Sequence, residues 1–390
     1  MKFCLAKMSN PNCGRGPSRA ALVSLFLSLL FAASLTGLSR RGEARTDTEL
    51  VLSQPLVIRW QYNSDLTVNL TPATAGQRIF LPLSGENIVS LNSTDGQLLW
   101  KSDTGGEISA SPAADETKVY VASEYGDLAS VSRTTKGALR ALGEEAGVTR
   151  WMRTLPAPIH GGLAVGPTTL FAGSGDGIVY AIDKNTGLTR WTTHYGSSFA
   201  SQPILSGSLL FIGSEDGSLY AIDQTSGSTI WRYRTKGPIR GPVAVVSGMV
   251  FFGSGDGYVY AVRESTGQLL WRSRTGAAVQ SVASASEGLL VASLDNFVYF
   301  LSLNHGNRLW KRQLSGRISS QPLTASDGAL FVPLSSDSGV VLGLRDGKQV
   351  NTLPIGADNS ISASPVKVGN LVVVTTIKGL LAFAQPKSQP

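Results

Sequence analysis

Residues 173–191 read GSGDGIVYAIDKNTGLTRW, residues 213–231 read GSEDGSLYAIDQTSGSTIW and residues 253–271 read GSGDGYVYAVRESTGQLLW. Near-copies at a fixed period of this size mark a repeat architecture, in which each unit buries its apolar face against its neighbours. The tryptophan that closes each string carries the pattern both ways along the chain. Trp60, Trp100, Trp151, Trp191, Trp231, Trp271 and Trp310 follow one another at 40, 51, 40, 40, 40 and 39 residues, and Asn351 stands 41 residues beyond the last.

Inside one period the apolar residues alternate and are broken by turn residues, which predicts short strands and no helix. Between Trp231 and Trp271 the strands are expected at Ile239–Val245, Met249–Gly253, Tyr258–Val262 and Gln268–Arg274. Gly255, Asp256 and Gly257 supply the tight hairpin between the second and third. Four strands in each such period make a propeller blade. First strands begin near Val68, Ile108, Ile159, Phe199, Ile239, Val279, Ile318 and Ile361. The last blade, ending with a third strand at Gly379–Phe383, has no fourth, whereas Leu56–Tyr62 around Trp60 is a fourth strand with no blade before it. The reading is therefore an all-β, eight-bladed propeller over residues 55–385, closed by an N-terminal strand that completes the last blade, with residues 386–390 as a tail. Closure of this kind leaves fewer free strand edges. Seven blades is the alternative count. Gly187, Gly227 and Gly267, each four residues before a tryptophan, and Tyr180, Tyr220, Tyr260 and Tyr299 on the third strands are read as packing residues.

The string G-x-V/L-Y-A-I/V-D-x-x-T/S-G-x-x-x-W resembles the repeat of quinoprotein-type (PQQ-like) β-propellers over nearly all of the chain behind its leader. Kelch and Trp-Asp repeats fit less well, since the chain contains no Trp-Asp dipeptide. The resemblance implies one of two activities. One is the quinoprotein dehydrogenase, which holds pyrroloquinoline quinone and calcium. The other is the non-enzymatic scaffold of the BamB family, which works with envelope proteins in outer-membrane β-barrel assembly. Quinoprotein alcohol dehydrogenases usually carry a vicinal Cys-Cys pair, and the only cysteines here are Cys4 and Cys13. The expectation is a non-catalytic scaffold without cofactor. A quinone-dependent oxidoreductase is the alternative, and a sensory or ligand-binding propeller a second one.

Charge removes one further class. Residues 1–45 hold seven Lys or Arg and one Glu, while the remainder holds 27 basic and 26 acidic residues, so the basic character belongs to the leader and no nucleic-acid footprint remains. Lys2, Lys7, Arg15 and Arg19 precede an uncharged run from Ala20 to Leu38, the pattern of an export signal. The run is either cleaved near Gly42 and Ala44 or kept as an anchor, with the propeller outside the cytoplasm. No cysteine follows it, so a lipid anchor of the BamB kind is not expected.

No catalytic constellation emerges. His160, His194 and His305 fall in different blades without metal spacing, and the Gly-Asp-Gly turns lack the ligand run of a calcium loop. The binding candidates lie where the copies differ. Just after the first apolar position of the eight inner strands stand Asn69, Ser109, His160, Ala200, Arg240, Gln280, Ser319 and Ser362. They form an expected polar ring at the channel mouth, with Asn69, His160, Arg240 and Gln280 as ligand candidates for a polar or anionic molecule. A merely wet channel is the plainer reading. The long interval before Trp151 places an insertion within Thr134–Ala146, expected between third and fourth strands. There Arg140, Leu142, Glu144 and Glu145 are candidates for a protruding, partner-binding helical turn, or else belong to a tolerated surface insertion.

Overall fold

The computed structural model describes residues 50–67, 69–126 and 135–386. The leader, Val68, Asp127 and the last four residues lie outside them. Within them the regular structure is strands and turns, arranged as eight antiparallel sheets. Blade 5 is representative, with strands at Ala244–Val246, Met249–Gly253, Tyr258–Arg263 and Leu269–Arg274 paired in that order.

Ring closure follows the expected route. Val57–Asn63 runs antiparallel to Gly379–Ala384 as the outer strand of blade 8, with Trp60 opposite Ala382 and Gln61 opposite Leu381. Second and third strands are covered on both sides and read as almost continuous buried runs, as in Leu209–Gly213 and Ser218–Asp223. The outer strands alternate between exposed and buried residues, and the inward position is the tryptophan.

The inner strands start later than the apolar pattern predicts. Ile239–Val243 is lead-in coil, and pairing begins only at Ala244. A proline stands just ahead of the inner strand in six blades (Pro72, Pro112, Pro203, Pro242, Pro322 and Pro365), where its missing N–H stops the ladder. Blades 3 and 6 have no such proline: the inner strand of blade 6 runs unbroken over Val279–Ala285, whereas in blade 3 Gly161 and Gly162 stand in the lead-in and pairing begins at Leu163.

The tryptophans join blades rather than merely ending them. Each indole N–H donates to a backbone carbonyl in the turn before the outer strand of the next blade, at 2.7–3.0 Å in all seven cases. The glycine of that turn lies flat on the ring. At Gly227, with φ of +74°, a Cβ would stand 2.6 Å from Trp191, and at Gly267 the same distance from Trp231. Glycine is required there both for the left-handed backbone and for the close approach. The eight core clusters each span two neighbouring blades, as between Trp231 in blade 4 and Phe252 and Tyr260 in blade 5.

Between blades 7 and 8 the device changes. Blade 8 has no turn joining its third to its fourth strand, because the fourth arrives from the N-terminus, so no glycine is available to receive an indole. Asn351 occupies the tryptophan position, and its amide donates to the carbonyls of Leu52 and Gln54 at 2.9 and 2.6 Å. The Asp327 carboxylate accepts the N–H groups of Leu52 and Ser53 at 3.0 and 2.6 Å. Leu50, Leu52 and Leu56 are buried with Leu330, Leu353 and Phe383.

The insertion in blade 2 lies elsewhere than expected. Lys118–Gly126 and Thr135–Gly143 are its second and third strands, paired from Lys118 with Gly143 to Gly126 with Thr135. The extra length therefore belongs to the hairpin between second and third strands, on the opposite face from the one predicted. Arg140 and Leu142 are strand residues, Leu142 is fully buried, and Glu144 and Glu145 sit in an ordinary turn before the outer strand. Among the described residues 135–146 there is no helical turn.

Candidate functional site

The channel mouth is built from the lead-in segments between one blade's outer strand and the next blade's inner strand. The truncated inner strands leave these segments free to carry side chains around the axis. Arg240, Gln280, Ser319 and Ser362 are brought together with Gln202 and Gln321 around a cavity of about 210 Å3. His160 is not among its lining residues. Asn69 is spent on the scaffold, since its side-chain oxygen accepts the backbone N–H of Ser362 across the closing seam. Ser109 likewise donates to the carbonyl of Ile159 at 2.7 Å.

Two members of the ring, Arg240 and His160, already have acidic neighbours. Arg240 donates from Nε and Nη2 to both carboxylate oxygens of Glu215, each at 2.8 Å, which pushes its guanidinium above its usual range. His160 Nε2 lies 3.9 Å from the Glu124 carboxylate. What the mouth offers is therefore mainly amide and hydroxyl groups. Ser320, 3% exposed, has a side-chain oxygen with no hydrogen-bond partner among the described residues. Glu215 was not singled out from the sequence, although a signal was present. It stands where two sister copies have Gly175 and Gly255, a disagreement between otherwise similar strings.

The aspartates of the hairpins serve the turns. Asp216, Asp256 and Asp295 accept the backbone N–H two residues on and the hydroxyl of Tyr220, Tyr260 and Tyr299 respectively. Among the described residues no group of three or more His, Cys, Asp or Glu is placed to hold a metal ion.

The blade 2 candidates are also tied into the fold. Arg140 donates to Ser123 Oγ at 2.9 Å, and burial pushes its guanidinium down. Glu144 forms an ion pair with Arg78 of blade 1 at 2.5 Å, and Arg78 also donates to the carbonyls of Glu144 and Glu145. These residues do not converge with the channel-mouth ring.

Comparison with known proteins agrees with this architecture. BamB from Moraxella catarrhalis superposes with a TM-score of 0.72 at 16% identity, covering 86% of this chain and 99% of its own. The computationally designed Ika8 protein gives 0.71 at 15% identity, covering 84% and 99%. The quinohemoprotein alcohol dehydrogenase ADHIIG from Pseudomonas putida HK5 gives 0.67 at 12% identity, covering 89% of this chain and 79% of its own. At such identities the likeness is one of fold. No curated protein matches the sequence. The profile of the family described as outer membrane protein assembly factor BamB matches residues 57–138, 135–240 and 216–389, nearly the whole propeller. The chain belongs to that family.

Proposed function

We propose that this protein is a non-catalytic interaction scaffold of the bacterial cell envelope, exported by its leader and engaged with proteins of outer-membrane assembly. Membership of the assembly-factor family over residues 57–389 is the observation that carries the reading. Fold alone does not, because a designed protein and a dehydrogenase share it. Affinity capture with the purified propeller is expected to enrich envelope proteins; a capture that enriches none removes the basis of the proposal.

The second reading is a quinone-dependent oxidoreductase, favoured by the alcohol dehydrogenase among the structural neighbours. Two features of the channel mouth favour the scaffold reading over this one. The cavity of about 210 Å3 falls below the roughly 300 Å3 at which small-molecule sites begin. The one guanidinium in its lining is already held by both oxygens of Glu215. Reconstitution with pyrroloquinoline quinone and calcium is expected to give neither bound quinone absorbance nor dye-linked alcohol oxidation.

A further inference from the structure

Charge is unevenly spread around the ring. Residues 197–320, which make up blades 4 to 6, carry eleven Lys or Arg against seven Asp or Glu, whereas residues 66–158 carry eight against ten. The excess is concentrated on three adjacent outer strands. Arg232 and Arg234 in blade 4 and Arg272 and Arg274 in blade 5 stand one and three residues after the tryptophan, so each pair shares a face of its strand. Lys311 holds the first of these positions in blade 6. The same two positions are Lys101 and Asp103 in blade 1, Met152 and Thr154 in blade 2, and Gln61 and Asn63 in blade 8.

These cations are set among aromatic rings. Arg272 lies over Tyr258 at 5.1 Å, and Lys311 over Phe297 at 3.5 Å. Arg232 is paired with Asp216 at 2.6 Å. Arg234 and Arg274 are exposed and have no hydrogen-bond or ion-pair partner among the described residues. At the other end of the same strands, immediately before the tryptophans, Ile230, Leu270 and Leu309 are 52%, 38% and 53% exposed. Each strand thus presents an aliphatic side chain and then a cation.

We infer that the outer strands of blades 4 to 6 form the docking surface for an acidic, amphipathic segment of a partner protein, with Arg234 and Arg274 as its carboxylate-binding groups. The inference rests on the scaffold reading and gives it a location. Charge complementarity selects the partner, since two unpaired guanidinium forks on neighbouring blades match carboxylates bidentately.

A labelled peptide alternating glutamate and leucine is the probe, titrated against the full chain by fluorescence anisotropy. Binding is expected to weaken with added salt and to fall about tenfold in the double variant R234A/R274A. The variant K101A on blade 1 is expected to bind as the unaltered protein does. Because the Arg234 and Arg274 side chains make no hydrogen bond or ion pair among the described residues, their truncation is expected to leave the blades intact, which a thermal melt checks. Peptide binding unchanged in R234A/R274A, or lost equally in K101A, overturns the inference. So does binding to phosphatidylglycerol vesicles without binding to the peptide. Capture of envelope proteins, scored in parallel, keeps the two proposals apart. Capture that survives R234A/R274A overturns this surface and leaves the scaffold reading standing.

Discussion

Seven seams of this propeller are made by tryptophan and the eighth by asparagine, and the difference comes from the path of the chain. An indole works where the next blade supplies a glycine turn to lie on and a carbonyl to receive its N–H. The closing blade has no such turn, and what it presents instead is the backbone around Leu52–Gln54. A short amide with two donor hydrogens suits that surface, and Asn351 uses both. The repeat is thus interrupted at the point where the ring is sewn shut.

The strongest way to break this comparison is to remove the sewing strand. A chain beginning after Asn63 loses Trp60 and the three leucines from the core. It is expected to lose more than about 5 kcal/mol and to aggregate through the bared edge of Gly379–Ala384, as read by denaturant titration and size-exclusion chromatography. Next, W231A in an ordinary seam should cost about 3–5 kcal/mol in the same titration. N351A should cost about 1–2 kcal/mol, the loss of one part-buried hydrogen bond to Leu52 and one exposed one to Gln54. N351W, which restores the repeat on paper, is expected to destabilise as well, since there is no glycine to receive the ring. A stabilised N351W would show that the seam is an ordinary one.

Asp327 sharpens the contrast with the smallest effect. Burial pushes its carboxyl up, and hydrogen bonds from Ser53 and from the backbone N–H of Leu52 more than reverse this, leaving it below the usual carboxylate range. A lowered pKa in the folded state contributes stability that is complete above about pH 4 and is lost as pH falls through the lowered value. Acidification should therefore weaken the N-terminal seam, and D327N should flatten that part of the stability profile measured between neutral and acid pH.

Most of the fold was legible because its determinants are local and recur. Strand alternation, Gly-Asp-Gly turns and the glycine four residues before tryptophan all repeat, and Trp60 without a blade of its own revealed the closure. Blade 2 was misread for a reason the structure makes plain. Gly126 and Asp127 imitate the hairpin of the sister copies, so counting forward from them put the surplus after the third strand. Counting back from Trp151 sets Gly147 at Gly187 and Ala141–Leu142 at Ala181–Ile182, which matches the observed pairing. The tryptophan is the better anchor because its place is fixed by packing on the glycine turn of the next blade, whereas hairpin length is free to vary.

The site was less legible. Of the eight residues expected to form a ring, Arg240, Gln280, Ser319 and Ser362 line one cavity, and the pairing of Arg240 with Glu215 depends on two loops 25 residues apart meeting in space. The cations of blades 4 to 6 escaped notice for a similar reason. Each is unremarkable within its own repeat, and they become a surface only once three outer strands stand side by side.

The central claim is that this propeller binds proteins and does so where its blades diverge. A photo-reactive residue at Leu270, exposed just before Trp271 in blade 5, with a control at the equivalent exposed Leu99 of blade 1, tests it in intact cells. The account predicts a discrete adduct with an envelope protein from position 270 and none from 99. The absence of any protein adduct, together with quinone-dependent oxidation by the purified chain, would contradict it.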